Sequence, residues 1–382
     1  MTDLGSAKKE LTSRGLAMVD ELSHLVGIES PSDDIAACAA ACAAAAELGE
    51  RLLGCAPETI EVEGHPHLRW RFGPDPAAGE RRGVVLIGHL DTVWPRGTID
   101  RWQFERDAAA GTATGPGCFD MKAGVVQMFH ALSVSDDLDG VEIVLTTDEE
   151  VGSQTSRGLV EEAARRRTAA LVLEPSAPGG VIKVGRKGTG MYTLVVEGRA
   201  SHAGLEPEKG HNALIEASHL VLAVSTLGRP ELGTTVTPTM SSAGTATNVV
   251  PAHATVEVDV RVAVPEEAGR VHADMLALAT TVPGCRLEVR GGPNRPPMPT
   301  SSGPHLFDAA RRIGADLGLG TLEGISVGGG SDGNFSAAVG CPTLDGLGAV
   351  GDGAHAEGEH IVLAALAERA ALVTGLVDHI RG

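Results

Sequence analysis

The sequence predicts an α/β protein whose mostly parallel sheet is interrupted by an inserted α+β domain of ferredoxin-like order. Up to about Gly185, near-continuous apolar strands alternate with helices, which is typical of a parallel sheet covered on both faces. Beyond it, strands with period-two alternation and two helices follow the order β-α-β-β-α-β. After the Pro-rich stretch 291–300, helix and strand patterns of the first kind resume.

The first part of the chain contains the strands and helices of the parallel sheet. The Ala-rich segment 35–49 predicts a helix capped by Ser32 or Asp33. It is too short and too Ala-rich to span a bilayer. Apolar segments predict further strands at 83–89, 141–147 and 169–175, with helices at 121–134 and 155–167.

The inserted domain is predicted from the change of pattern after about residue 186. Strands are expected at 190–198, 234–240, 254–262 and 285–291, and helices at 211–227 and 265–281. We place the insertion at 187–295, so that 1–186 and 296–382 form the larger domain. The stretch 291–300, rich in Gly and Pro, is interpreted as the return linker.

Composition excludes several classes of partner. The 382 residues carry a net charge of −19, whereas nucleic acids and anionic membranes require a basic surface. The N-terminus lacks the apolar segment of a secretory signal. The six cysteines include no C-x-x-C pair, which fits a reducing compartment better than a disulfide framework. We therefore expect a cytoplasmic enzyme or binding protein with a small-molecule ligand.

Acidic and imidazole side chains follow the ends of three predicted strands. The first strand ends in His89 and Asp91, the second in Glu149 and Glu150, and the third in Glu174. Ligands of open α/β sheets bind beyond the carboxyl ends of the strands. Adjacent carboxylates repel one another, and their burial is costly without a partner. Either this acid block is a solvated loop, or a cation lies beside it.

Two glycine-rich loops add further candidates. Asp120 lies in GPGCFDMKAG, and His355 lies in GDGAHAEGEH, where His360 is an alternative to it. Imidazole together with carboxylate suits zinc or a similar divalent metal. Since a carboxylate can bridge two ions, five ligands divide naturally over a metal pair. The five candidates are His89, Asp120, Glu150, Glu174 and His355.

The ordered set of motifs resembles a known enzyme family. HLD, GPGCFDMKAG, TTDEEVGS, LEP and GAHAEGEH occur in this order, and GRASHAG, TNVVP, VDVRV and GGGSDGNF also match. They resemble the di-zinc metallohydrolases that include glutamate carboxypeptidase, aminoacylase, acetylornithine deacetylase and succinyl-diaminopimelate desuccinylase. The resemblance covers nearly the whole chain, and its overall texture is closest to glutamate carboxypeptidase.

The resemblance implies a role for each residue near the metals. Asp120 would bridge two Zn²⁺ ions, with Co²⁺ or Mn²⁺ as alternatives. Glu149 would be the general base that takes a proton from the attacking water, and Asp91 would orient His89. His89 and Glu174 would complete one metal site, and Glu150 and His355 the other. A cis peptide bond between Asp120 and Met121 is also implied.

The resemblance also assigns the inserted domain as a lid and dimerisation domain. His202 would reach the active site of the partner subunit and stabilise the oxyanion. Asn248 and Arg261 would hold a substrate carboxylate, and the forked guanidinium of Arg261 suits that task. From the residues alone, Arg261 could instead pair with a neighbouring acid. Gly330 and Ser331 would offer further backbone and hydroxyl contacts.

Three functions remain open at this stage. The first is a zinc-dependent hydrolase that cleaves an amide or peptide bond next to an amino acid with a free carboxylate, as in glutamate carboxypeptidase. The second is a biosynthetic N-acyl amino acid deacylase of the acetylornithine or succinyl-diaminopimelate type. The third is a non-catalytic metal-binding protein on the same scaffold, which the presence of Glu149 disfavours. The predicted assembly is a homodimer through the inserted domain.

Overall fold

The computed structural model describes residues 2–77 and 79–382. The chain forms two compact units. Unit 1 contains the residues up to Gly185 together with Thr300–Val327 and Ser331–Gly382, and unit 2 contains Arg186–Pro299 and Gly328–Gly330.

The helices of the described chain are α1 (Leu4–Ser13), α2 (Gly15–Val26), α3 (Ile35–Leu53), α4 (Ala123–Ser133), α5 (Arg157–Arg166), α6 (Ala213–Val224), α7 (Pro265–Leu276), α8 (Pro304–Asp316), α9 (Gly333–Ala338) and α10 (Leu363–Arg381). The strands are β1 (Glu58–Val62), β2 (His65–Arg71), β3 (Val84–His89), β4 (Glu105–Asp107), β5 (Thr112–Thr114), β6 (Val141–Thr146), β7 (Ala169–Val172), β8 (Ile182–Arg186), β9 (Gly188–Glu197), β10 (Thr235–Ala243), β11 (His253–Val262), β12 (Arg286–Arg295), β13 (Gly324–Val327), β14 (Thr343–Leu344), β15 (Gly351–Asp352) and β16 (His360–Val362).

The main sheet of unit 1 has six strands in the order β1-β2-β6-β3-β7-β14. Strands β6, β3, β7 and β14 run parallel, whereas β1 and β2 are antiparallel additions at one edge. Every residue of β3, β6 and β7 is buried. The near-continuous apolar runs of the sequence therefore correspond to central strands that are covered on both faces.

Alternate residues of the central strands face two helical layers. Val85, Ile87 and Val144 pack with residues of α5 and α9, whereas Leu86 and Leu145 belong to the larger core formed with the other helices of unit 1. That larger core includes residues of both α1 and α10, so both ends of the chain contribute to it. The backbone N–H of Thr2 donates to Asp378 Oδ2 at 2.7 Å.

The N-terminal cap of α3 differs from the prediction. The residue that caps the helix is Asp34, whose Oδ1 accepts the backbone N–H of Ala37 at 3.0 Å. Ser32, one of the two predicted caps, instead donates its hydroxyl to Asp91 Oδ2 at 2.6 Å. Several consecutive residues suited to capping precede this helix, and the backbone places only Asp34 directly before it.

Unit 2 contains the ferredoxin-like fold that the sequence predicts. Its antiparallel sheet has the strand order β10-β11-β9-β12, and α6 and α7 pack on one face of it. Even-numbered residues of β11, from Ala254 to Val262, are buried. Strand β12 continues to Arg295, so part of the stretch predicted as a return linker is strand.

Among the described residues, no helix combines the length and the apolar character that crossing a membrane requires. All six cysteines lie in the described part of the chain, and none forms a disulfide.

Candidate metal centre

The carboxyl ends of three parallel strands bring the candidate residues of unit 1 together. His89 is the last residue of β3 and is paired in register with Thr146 of β6. The turn Glu149–Val151 follows β6, and Glu174 lies two residues beyond the end of β7. Because β3 lies between β6 and β7, the side chains that follow the three strands meet at one edge of the sheet.

Two imidazoles approach opposite oxygens of one carboxylate. His89 Nε2 lies 3.2 Å from Asp120 Oδ1 and 3.5 Å from Glu174 Oε1. His355 Nε2 lies 3.3 Å from Asp120 Oδ2 and 3.1 Å from Glu150 Oε2. All five predicted metal ligands are therefore brought together, in two clusters that share Asp120. The peptide bond between Asp120 and Met121 is cis, as the family resemblance implies.

Glu149 lies beside the first of these clusters. One ligand atom each from His89, Glu149 and Glu174 lies within 4.8 Å of the others, and all three residues are buried. The general base expected from the sequence is thus close to the residues that would hold a metal.

The ring orientation of His89 leaves Nε2 directed at the cluster. His89 Nδ1 donates to the backbone carbonyl of Asp91 at 2.9 Å, whereas Asp91 Oδ1 lies farther away, at 3.4 Å. With the proton on Nδ1, the lone pair of Nε2 is available to a cation. The main chain of Asp91, more than its carboxylate, thus fixes the tautomer of His89.

The carboxylate of Asp91 holds the acidic turn in place. Its Oδ1 accepts the backbone N–H of Glu149 at 3.3 Å, and its Oδ2 accepts that of Glu150 at 3.1 Å. The Ser32 hydroxyl donates to the same Oδ2. The sequence predicts Ser32 only as a helix cap, and nothing local in the sequence indicates its contact with a residue 59 positions away.

Asp148 supports the acidic turn from its other side. Its Oδ2 accepts the backbone N–H groups of Thr155, at 2.6 Å, and Ser156, at 3.3 Å. The first acid of the block is therefore bound to the start of the next helix. One of the three consecutive acids is therefore stabilised by backbone donors of the protein itself.

The electrostatics of the clusters favour added positive charge. Hydrogen bonds to Asp120 and Glu150 raise the pKa of the His355 imidazole to about 10. Burial would raise the pKa of Asp120, but hydrogen bonds from His355 and His89 lower it well below its usual range. Burial raises the pKa of Glu150. The carboxylates thus stabilise cationic imidazoles, and a divalent ion could replace those protons.

The donor set fits divalent metal ions. It consists of two imidazole nitrogens and three carboxylates, the ligand types that zinc accepts. Glu150 Oε1 is buried and forms no hydrogen bond with any part of the described chain, which leaves an acceptor oxygen at the cluster. A shared carboxylate between two imidazoles is the arrangement expected of a dinuclear site.

A comparison with protein families matches residues 85–379 to the peptidase family M20/M25/M40. The chain belongs to this family. The matched segment includes both clusters and the whole of unit 2. This M20/M25/M40 family member is accordingly a metal-dependent hydrolase that acts on amide or peptide bonds.

Curated relatives agree with the family assignment, and a solved structure shares the fold. Carboxypeptidase G2 of Pseudomonas sp. (strain RS-16) is 31% identical over 308 residues, which cover 78% of this chain and 73% of that protein. The succinyl-diaminopimelate desuccinylase of Acidovorax ebreus (strain TPSY) is 29% identical over 354 residues, covering 86% and 88%. The dipeptidase Dug1p of Saccharomyces cerevisiae shares the fold, with a TM-score of 0.76, 15% identity and coverage of 100% and 99%.

The remaining site candidates of this M20/M25/M40 family member lie mostly in unit 2. The backbones of His202 and Val249 pair in an isolated antiparallel β-bridge, and the Ala203 N–H donates to the carbonyl of Asn248 at 2.9 Å. His202 and Asn248 are therefore close neighbours within unit 2, and both are exposed.

Arg261 forms a bidentate pair with Asp259 two residues earlier on β11. The Nε and NH2 groups of Arg261 donate to the Asp259 carboxylate at 2.8–3.1 Å. Both residues lie on the face of the unit 2 sheet opposite α6 and α7, because the even-numbered positions of β11 face those helices. Asp259 is thus the neighbouring acid with which Arg261 pairs in this structure.

Gly330 and Ser331 lie at the boundary of the two units. The Gly330 carbonyl accepts a hydrogen bond from Arg186 at 3.1 Å. Ser331 is fully buried, and its hydroxyl donates to Asp345 Oδ2 at 2.6 Å. The hydroxyl proton of Ser331 therefore forms a hydrogen bond within the protein.

Proposed function

We propose that this protein is a dinuclear zinc hydrolase that removes an amino acid with a free carboxylate from a peptide or amide substrate. The observation that carries the proposal is the pair of imidazole–carboxylate clusters that share Asp120, with Glu149 beside one of them. His89 and Glu174 would hold one ion and Glu150 and His355 the other. The similarity to carboxypeptidase G2 supports this class of substrate.

Bound divalent ions would supply Lewis acidity to the amide carbonyl and a more acidic water. Glu149 would accept the proton of that water as it attacks the carbonyl, and would then donate the proton to the leaving amine. The backbone N–H groups of Glu149 and Glu150 donate to the Asp91 carboxylate. These hydrogen bonds would keep Glu149 in a fixed position during the proton transfer. His202 would stabilise the developing oxyanion.

Recognition of the substrate carboxylate would fall to Arg261 and Asn248. A forked guanidinium binds a carboxylate with two parallel hydrogen bonds. Arg261 already forms this geometry with Asp259, and a substrate carboxylate would take the place of that partner.

A substrate panel with purified, zinc-loaded protein tests the proposal. We expect cleavage of N-acyl and peptidyl amino acids with a free C-terminal carboxylate. Matched substrates with a C-terminal amide should be cleaved far more slowly, because they lack the charge that Arg261 would bind. Equal rates for acid and amide forms would contradict the carboxypeptidase assignment.

A biosynthetic deacylase is the second candidate. The 29% identity to succinyl-diaminopimelate desuccinylase over 86% of this chain favours it, and acetylornithine deacetylase is of the same type. N-acetyl and N-succinyl diamino acids in the same panel distinguish the two. Turnover of these substrates in preference to peptides and acyl glutamates would support the deacylase.

We also infer that segment 187–295 is a lid and dimerisation domain within the larger domain formed by 1–186 and 296–382. Strand β10 is an edge strand of unit 2 on which Met240 is 70% exposed, and Leu222 on α6 is 68% exposed. Exposed apolar residues beside an unpaired edge are typical of association surfaces. In the dimer, His202 would serve the active site of the other subunit.

Sedimentation of the wild-type protein and of Met240→Lys tests the dimer. We expect a dimer for the wild type and a shift toward monomer for the variant, with activity falling in parallel. A fully active wild-type monomer under assay conditions would contradict both the assembly and the role of His202.

A further inference from the structure

Glu359 receives four N–H groups from two separate loops. Its Oε1 accepts the backbone N–H groups of Phe119, at 2.7 Å, and Asp120, at 2.9 Å. Its Oε2 accepts the backbone N–H of Gly117 at 3.0 Å and the indole N–H of Trp94 at 3.1 Å. Glu359 is fully buried, and these contacts use both oxygens of its carboxylate.

The four N–H donors favour the charged form of Glu359, whereas burial raises the pKa of its carboxyl group. A protonated carboxyl group would direct its own O–H at one of the N–H donors, whereas a carboxylate accepts at both oxygens. Hydrogen bonds from several N–H groups to a carboxylate are charge-assisted and short. The buried negative charge of Glu359 is therefore stabilised by the loop that it holds.

The loop held by Glu359 is the loop that presents the shared carboxylate. Gly117 has a φ of +72°, and a Cβ on it would lie 2.5 Å from Thr92 Cγ2. This turn therefore needs glycine. The backbone carbonyl of Glu359 also accepts the Thr114 hydroxyl at 2.7 Å. Side chain and main chain of one residue thus bind the segment that leads to Asp120.

Glu359 also belongs to the segment that carries the second imidazole. It lies four residues after His355, in the loop between β15 and β16. His355 and Asp120 approach to 3.3 Å, yet they are far apart in sequence, and neither lies within a regular helix or strand of the main sheet. Glu359 joins their two loops at a single buried carboxylate.

We propose that Glu359 is a positioning residue for the metal centre. Glu359 fixes the position of Asp120 relative to His355. This inference rests on the proposed dinuclear site. Its effect should be greater on the cluster of Asp120, Glu150 and His355 than on the cluster with His89 and Glu174. In the first cluster two ligands, Asp120 and His355, depend on Glu359. The second cluster shares only Asp120 with it, and its other members, His89 and Glu174, are placed by strand ends.

The test compares Glu359→Gln with the matched control Glu357→Gln. Glutamine keeps the shape but directs an NH₂ group at one pair of N–H donors, which are then left unpaired. Glu357 lies in the same loop with a side chain that is 69% exposed, and it forms an ion pair with Arg101. Zinc binding by each protein is measured by calorimetry, and cobalt binding by absorption titration.

We expect Glu359→Gln to bind one of the two ions about 10–100-fold more weakly, the effect typical of residues that orient metal ligands. Excess zinc should restore kcat, with KM unchanged. Glu357→Gln should match the wild type. Wild-type affinity for both ions in folded Glu359→Gln would overturn the inference, as would equal weakening by the control.

Hydrogen exchange of the metal-free wild type provides a second measurement that needs no variant. If Glu359 positions the loop, the N–H groups of Phe119 and Asp120 are protected before metal is added. Rapid exchange of both groups until metal binds would overturn the inference. A wild type that binds no metal pair and cleaves no amide would instead contradict the proposed function itself.

Discussion

His89 and His355 present the same ring nitrogen to Asp120 from different backbones. His89 ends a buried strand, whereas His355 has a φ of +62° and a side chain that is 50% exposed. A non-glycine residue in this left-handed region costs of order 1 kcal/mol, and it persists where the surroundings impose it. The motif predicts His355 over His360, but no sequence signal predicts its backbone conformation.

Replacing Glu149 with glutamine should abolish turnover and leave metal binding intact. The amide cannot accept the proton of the attacking water, so we expect kcat to fall by about 10²–10⁴-fold. Metal content and activity are measured on the same preparation, with Glu162→Gln, an exposed change on α5, as the control. Loss of one ion from Glu149→Gln would identify Glu149 as a ligand instead.

Replacing Arg261 with alanine should raise KM for acid substrates and leave amide substrates unaffected. A hydrogen bond to a charged group contributes about 1.5–3 kcal/mol, so we expect KM to rise roughly 10–100-fold. Arg290→Ala is the matched control, because Arg290 forms the same two-bond pair with Glu288 on β12, an edge strand of the same sheet. Similar effects of the two changes would exclude a specific role for Arg261.

At the scale of elements, regular strands could be predicted and their polar contacts could not. Strands β3, β6 and β7 follow from their apolar runs. The end of β12 was missed because Pro293 suggested a linker, yet β12 lies at the edge of its sheet, where proline is tolerated. The Ser331 hydroxyl donates to Asp345, 14 residues away, and sequence patterns do not report such pairs.

The first turn of α7 contains a buried acid that should make unit 2 sensitive to acid. Hydrogen bonds from Arg270 and Thr234 lower the pKa of Glu267 from 4.5 to about 2. The stabilisation of the folded state by the Glu267 carboxylate is therefore complete above pH 4.5 and is lost as the pH falls toward 2. Glu267→Gln should lower the free energy of unfolding by about 1–3 kcal/mol at pH 7, and by less at pH 3.

Urea unfolding at the two pH values measures this difference. Glu266→Gln, a change at the exposed preceding residue, is the control and should differ little from the wild type. A Glu267→Gln deficit that stays constant between pH 7 and pH 3 would show that the charge of Glu267 is not responsible.

At the scale of the whole molecule, the metal centre links segments from most of unit 1. Its candidate ligands extend from His89 to His355, and a ligand that binds only the folded state stabilises it by mass action. Chain regions that are distant in sequence are thereby held to one another at the carboxyl edge of the main sheet.

Removal of the metal should therefore lower Tm. At a free metal concentration about 1,000 times Kd, the stabilisation is about 4 kcal/mol, which corresponds to roughly 8 °C or more for a domain of this size. Thermal unfolding is compared before and after EDTA treatment, with zinc-saturated EDTA as the control. An unchanged Tm after complete metal loss would contradict a structural contribution of the centre.

The contribution of both chain ends to one core affects biogenesis. Helix α10 joins α1 in that core only after residues 363–381 have been synthesised, whereas nearly all of unit 2 is contiguous in the nascent chain. Since domains generally fold as units during synthesis, unit 2 can fold first. The part of unit 1 that precedes Gly185 then stays partly unburied until α10 is made, and its apolar surface is open to a chaperone during that interval.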